Sequence, residues 1–102
     1  MNNLQWLQKW YLSQCNEKSE HDYGIIIDTL DNPGWWIKIN LAKTDSESKF
    51  FEKVKIEKSD NDWLHCRVKG LEFEGACGPE NLDELIKIFR DWIEKNSVIE
   101  RS

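Results

Sequence analysis

A chain of 102 residues fits one domain with a single core and leaves no room for a second. Hydrophobic residues make up 39% and charged residues 32%, too apolar for a disordered chain and ordinary for a globular one. Fourteen Lys and Arg against nineteen Asp and Glu give a formal charge of -5, which argues against nonspecific binding to a phosphate backbone and suits a cationic protein partner. No run reaches the roughly 18 apolar residues of a membrane span, and Met1 to Gln5 lacks the basic and apolar regions of a signal peptide, so a cytoplasmic location is expected. Cys15, Cys66 and Cys77 are odd in number and widely spaced, as expected of free thiols and not of a disulfide framework.

In chain order, residues 4 to 15 read as a helix, with Asn3 as its candidate N-cap and Leu4, Leu7 and Tyr11 on a stripe that Trp6 and Trp10 widen. Tyr23 to Leu30 is rich in β-branched residues, and Trp35 to Leu41 alternates after the turn Asp31-Asn32-Pro33-Gly34, so the two predict a β-hairpin. Ala42 to Lys49 reads as a polar loop. Phe50 to Lys58 predicts a third strand, and Ser59 to Asp62 a turn into a fourth at Trp63 to Lys69. Leu71 and Phe73, separated by Glu72, suggest a short fifth strand at a sheet edge, followed by a loop from Gly75 to Pro79. From Asn81 to Lys95, Leu82, Leu85, Ile86, Phe89, Trp92 and Ile93 keep a 3.6-residue period, with Asp83 and Glu84 in the first turn and Lys95 in the last, as the helix dipole favours.

These elements predict an α+β fold over residues 1–102: a single domain with an antiparallel four- to five-stranded meander sheet, an N-terminal helix and a C-terminal helix packed on it. The C-terminal helix is expected on the face of Ile37, Ile39, Val54, Ile56, Cys66 and Val68. The N-terminal helix fits either that face or a position over Trp36 and Trp63.

Six tryptophans are the anomaly of the composition. Adjacent strand residues point to opposite faces, so if Trp35, Ile37, Ile39 and Leu41 face the core, Trp36 shares the other face with Lys38 and Asn40. Trp63 likewise falls with His65, Arg67 and Lys69, opposite Leu64, Cys66 and Val68. Such indoles are the side chains that anchor binding surfaces.

No phosphate-loop, G-x-G-x-x-G, C-x-x-C or H-E-x-x-H pattern is present, so the chemistry these motifs carry is not indicated, and neither cofactor nor metal is expected. Cys15, His21, His65, Cys66 and Cys77 make a loose set of soft groups, but His65 and Cys66 must point to opposite faces of one strand. Cys77 precedes a helix, where a thiol pKa can fall; that keeps a thiol enzyme as a minor reading. The outward set Trp36, Phe51 and Trp63 among Lys38, Lys53, Lys55, Arg67 and Lys69 keeps open a nucleic-acid or small-ligand binding module. Acids concentrate in the predicted loops, at Glu17, Glu20, Asp22, Asp31, Asp45, Glu47, Asp60 and Asp62, where Asx residues also serve turn geometry. Acidic loops beside exposed indoles suit a cationic protein surface.

The segments Trp6-Leu7-Gln8-Lys9-Trp10-Tyr11 with Gln14-Cys15, His21-Asp22-Tyr23-Gly24, and Thr29-Leu30-Asp31-Asn32-Pro33-Gly34-Trp35 together resemble the immunity protein 53 family of bacterial polymorphic-toxin systems. Asp62-Trp63 with Cys66, Phe73-Glu74-Gly75, and Asn81-Leu82 with Phe89 and Trp92 continue the likeness along nearly the whole chain. The resemblance implies a small cytoplasmic α+β protein that binds and neutralises a cognate toxin domain without enzymatic activity. The expected partner contacts are Asp31, Trp36, Asp62 and Trp63, then Trp10, Glu17, Glu20 and Asp22, in a monomer or homodimer that engages neither nucleic acid nor membrane.

Overall fold

The computed structural model describes residues 1–14, 24–42 and 44–100, with side chains described up to Lys95. Helix α1 (Asn3–Gln14) is capped by Asn2 and not by Asn3. The Gln5 amide donates to Asn2 Oδ1 at 2.8 Å and the Asn2 amide donates to Gln5 Oε1 at 3.2 Å, a reciprocal arrangement that satisfies two otherwise orphaned donors. Strands β1 (Ile25–Leu30) and β2 (Gly34–Asn40) form the expected hairpin around Asp31-Asn32-Pro33. Strands β3 (Val54–Ser59), β4 (Asp62–Lys69) and β5 (Glu72–Cys77) follow, then helix α2 (Leu82–Glu100). Gly70, at φ 62°, takes the first central position of the two-residue turn between β4 and β5, where a mirror-image hairpin turn needs positive φ.

The fold class is the expected one: α+β, with a five-stranded antiparallel sheet between an N-terminal and a C-terminal helix in sequence. The strand order β1-β2-β5-β4-β3 divides the meander into a β1-β2 hairpin and a β3-β4-β5 run that join at β5. The fifth strand is therefore the central strand of the sheet and not an edge, and it continues through residues expected to form a loop, to Cys77. Its inward positions are Phe73, Gly75 and Cys77, and small residues there admit Leu85 of α2 against the sheet. At Gly34 the place of a Cβ is taken by the Cys77 carbonyl oxygen, so the turn motif keeps a glycine where β2 meets β5.

Both helices lie on the same face. Ile37, Ile39, Leu41, Leu64, Cys66, Phe73 and Cys77 meet Leu85, Ile86, Phe89, Trp92 and Ile93 in one buried cluster. Phe89 sits at its centre, edge-on to Trp10 at 5.1 Å and to Trp6 at 6.0 Å, and tilted against Phe73 at 4.9 Å. Trp6 and Trp10, one helical turn apart, stack on each other, so the inner stripe of α1 runs through Trp6, Leu7 and Trp10. Leu4 and Tyr11, expected on that stripe, are exposed. Arg90 of α2 ties the start of α1 down, donating to the Met1 carbonyl and to Asn3 Oδ1 at 3.2 Å each. No helix among the described residues is long and apolar enough to cross a membrane.

Phe51 belongs to the core and not to the outward face. Its ring meets Phe73 at 5.4 Å and Trp92 at 5.3 Å, both edge-on, while the Trp92 indole N–H donates to the Phe50 carbonyl at 2.8 Å. Lys95, expected in the last turn of the C-terminal helix, lies inside it because α2 runs on to Glu100.

Candidate functional site

Strand parity sets the composition of the face that the helices leave open. Asp28, Trp36, Ala76, His65 and Lys55 stand side by side across all five strands, as the pairings Asp28 with Trp36, Trp36 with Ala76, His65 with Ala76 and Lys55 with His65 require. The neighbouring row holds Ile26, Lys38, Glu74 and Arg67, and the next Asn40, Glu72 and Lys69. Trp63 lies one row the other way, opposite Glu57. Because Ala76 is small and lies between larger neighbours, the sheet is troughed there. A groove of about 390 Å³ runs past Trp36 and His65, with Lys38, Lys53, Arg67 and Glu74 along it.

Trp36 and Trp63 are both partly exposed on this face. Trp35, one residue from Trp36, packs against the core and donates its indole N–H to the Pro79 carbonyl at 3.1 Å. Trp63 and His65, two residues apart on one strand, place their rings 5.3 Å apart. Two of the five cations of the face, Lys38 and Arg67, and the His65 imidazole meet acids. Lys38 meets Glu72 at 3.5 Å, Arg67 meets Glu74 at 3.2 Å, and His65 Nε2 lies 3.0 Å from Glu57 Oε2. Exposed pairs of this kind contribute about 0–1 kcal/mol of stability each, so their larger effect here is to neutralise cations that a phosphate backbone would need. With Phe51 also withdrawn into the core, the stacking platform for nucleic acid loses one of its three aromatics.

The expected acidic contacts divide. Asp31 is exposed in the β1–β2 turn, at the same end of the sheet as Trp63, since β2 begins, β5 ends and β4 begins there. Asp60, exposed in the β3–β4 turn, shares that end. Asp62 is partly buried and accepts a hydrogen bond from Asn81 Nδ2 at 3.0 Å, which ties the start of β4 to the start of α2. Trp10 lies on the opposite side of the sheet, engaged with Trp6 and Phe89. Glu17, Glu20 and Asp22 lie outside the described residues. Asp28, Ala76 and the three paired glutamates were not singled out from sequence. Cross-strand register alone places them beside Trp36 and His65, and that register depended on where β5 inserts.

The cysteines of the sheet are buried and point away from this face. Burial pushes the Cys66 thiol up to about 12, reinforced by Cys77 beside it. Cys77 is pushed up to about 11, again chiefly by burial, against a lowering hydrogen bond from the Trp35 backbone. A thiol held protonated in the core is the reverse of an activated nucleophile, so Cys77 does not support the thiol-enzyme reading. His65 and Cys66 point to opposite faces, as expected, and no group of three or more metal-binding side chains occurs among the described residues.

Neither the curated proteins nor the solved structures contain a match to this chain. A family model described as Immunity protein 53 matches residues 4–94.

Proposed function

The chain belongs to the immunity protein 53 family, and from that premise we propose that it binds a protein toxin through the helix-free face of its sheet and thereby protects the cell that makes both. The observation that carries this siting is the placement of both helices on one face, which leaves Trp36 and Trp63 partly exposed on the other. Tryptophan is enriched among the few residues that dominate binding energy, and the small Ala76 between Trp36 and His65 opens a place for a partner side chain. Asp31 and Asp60 flank the Trp63 end and supply the negative rim that attracts a cationic toxin. Trp10 packs against Trp6 and Phe89 and Asp62 holds Asn81, which accounts for both, so the proposed contact set centres on Trp36 and Trp63 with Asp31 at the same end of the sheet as Trp63.

The test is co-expression with the toxin encoded beside this gene, with survival and recovery of a complex as readouts. Rescue and a one-to-one assembly are expected; failure of rescue by the folded chain overturns the function. Trp36→Ala with Trp63→Ala then tests the site. Loss of two central anchors is expected to weaken toxin binding by about a hundredfold or more, while the thermal melt of the variant stays close to that of the parent. Undiminished affinity in the double variant removes this face from the proposal.

A further inference from the structure

We propose that the chain pairs with a second copy of itself along the outer edge of β1, antiparallel and centred on Ile26. This rests on the backbone of that edge and is independent of how a toxin binds. The Asn40 amide donates to the Gly24 carbonyl at 3.0 Å, which makes Gly24 and Asn40 a hydrogen-bonded pair. Antiparallel ladders alternate, so Gly24, Ile26 and Asp28 direct their amides and carbonyls to β2, while Ile25, Ile27 and Thr29 direct theirs outward. Of the outward amides, that of Thr29 is already taken by Asp28 Oδ1 at 2.8 Å. Ile25 and Ile27 keep outward amides and carbonyls with no partner among the described residues.

The two edges of the sheet are not alike. The β3 edge carries Lys55, Glu57 and Lys58 and a register shift after Glu57, devices that discourage strand addition. The β1 edge is Ile25-Ile26-Ile27-Asp28-Thr29-Leu30, with three successive isoleucines and no lysine or proline. Ile26 is 51% exposed on the helix-free face. An edge of this kind is a template for another strand.

The unpaired groups also select which strand and which register. A two-fold axis through Ile26, normal to the sheet, sets Ile25 of one copy opposite Ile27 of the other, so the outward groups of each copy satisfy those of its partner. The two Ile26 side chains then face each other in a non-hydrogen-bonded pair, where cross-strand side chains approach most closely. Centring on Ile27 instead would require the Thr29 amide that Asp28 holds, and centring on Asp28 would also oppose two carboxylates. Because the axis is normal to the sheet, both copies present Trp36 and Trp63 on the same side of one ten-stranded sheet.

Two measurements test this. In a Cys15→Ser background, Ile26→Cys should form an intermolecular disulfide rapidly on mild oxidation, because a non-hydrogen-bonded pair places its Cα atoms about 4.5 Å apart, within disulfide range. Gly24→Cys is the control, since a Cβ there meets open space and in this register its two copies lie roughly 14 Å apart. For the native chain, sedimentation velocity should show dimerisation that rises with concentration, and Ile26→Lys, which sets like charges opposite each other, should weaken it by about tenfold or more with an unchanged melt. Cross-linking of Ile26→Cys no faster than Gly24→Cys overturns the register. A native chain that stays monomeric to millimolar concentration, or a dimer indifferent to Ile26→Lys, overturns the pairing itself.

Discussion

Trp35 and Trp36 are neighbours in sequence and opposites in role, and the alternation of β2 is enough to assign them. With Ile37, Ile39 and Leu41 buried, Trp35 packs inside and Trp36 is delivered to the other face. The same reasoning sorts Trp63 from Leu64 and His65 from Cys66, so the two indoles of the candidate site were legible before any coordinates. Phe51 shows where parity stops being a guide: counted back from Val54 it falls on the outward face, but β3 begins only at Val54, and the preceding loop turns the ring between Phe73 and Trp92. Cys66 and Cys77 carry a pH dependence of known sign. Their native thiols sit near 12 and 11 against a reference value of 9.0, so the unfolded chain ionises first as pH rises. Stability from this source is whole below pH 9.0 and declines as pH climbs from there through about 11 for Cys77 and about 12 for Cys66. The denaturation midpoint should fall across that window, with a shallower fall in Cys66→Ala, whatever that variant loses at neutral pH. In a Cys15→Ser background a thiol reagent at pH 8 should label neither remaining cysteine until the protein unfolds. Labelling of the native state at the rate of a model thiol would contradict the burial assigned to both.

At the level of elements, the two helices differed in legibility because their apolar positions differ. In α2 the apolar residues keep one stripe with exposed Lys87 and Asp91 opposite, and a single face of the sheet can receive it. In α1 Leu4, Trp6, Leu7, Trp10, Tyr11 and Leu12 surround the axis, and contact with Phe89 and Arg90 of α2 selects the Trp6, Leu7 and Trp10 side. β5 is hard to read from sequence for a related reason: Gly75-Ala76 lacks the bulky β-branched residues that mark a strand, yet a central strand beneath a helix needs Gly75 where Leu85 approaches. The junction of β4, β5 and α2 is fastened by Asn81, a buried residue that precedes α2, whose Nδ2 donates to Asp62 Oδ1 at 3.0 Å and to Glu84 Oε1 at 3.2 Å. Asn81→Ala should therefore cost about 1–3 kcal/mol of folding stability, because it removes two partly buried hydrogen bonds to carboxylates. Asp62→Ala should destabilise as well, and the double variant should lose less than the sum, with a coupling of about 0.5 kcal/mol or more in denaturant titrations. Strict additivity would show that Asp62 is not engaged by Asn81 and return it to the set of free acidic contacts.

For the whole molecule, charge and hydrophobic anchoring are separated in space, and each should govern a different rate. Across the helix-free face Lys38, Lys53, Lys55, Arg67 and Lys69 are opposed by Asp28, Glu57, Glu72 and Glu74, a near balance in a chain whose formal charge is -5. The acidic excess therefore lies off this face, and part of it is at the sheet end where β4 begins with Trp63, in the turns that carry Asp31 and Asp60. On the proposed reading, that end steers a cationic toxin toward the face and the indoles then hold it. Steering acts on encounter and is screened over a Debye length of about 8 Å at physiological ionic strength, whereas a desolvated indole acts after docking and is indifferent to salt. Asp31→Asn with Asp60→Asn should slow association severalfold at low salt and flatten its dependence on ionic strength, leaving dissociation nearly unchanged. Trp36→Ala should do the opposite, speeding dissociation by about tenfold or more with little effect on association. Surface-immobilised toxin and a salt series read both rates directly. An association rate that does not change with salt in the native chain would exclude the steering role of the acidic turns, and a Trp36→Ala effect confined to association would exclude the indole as an anchor.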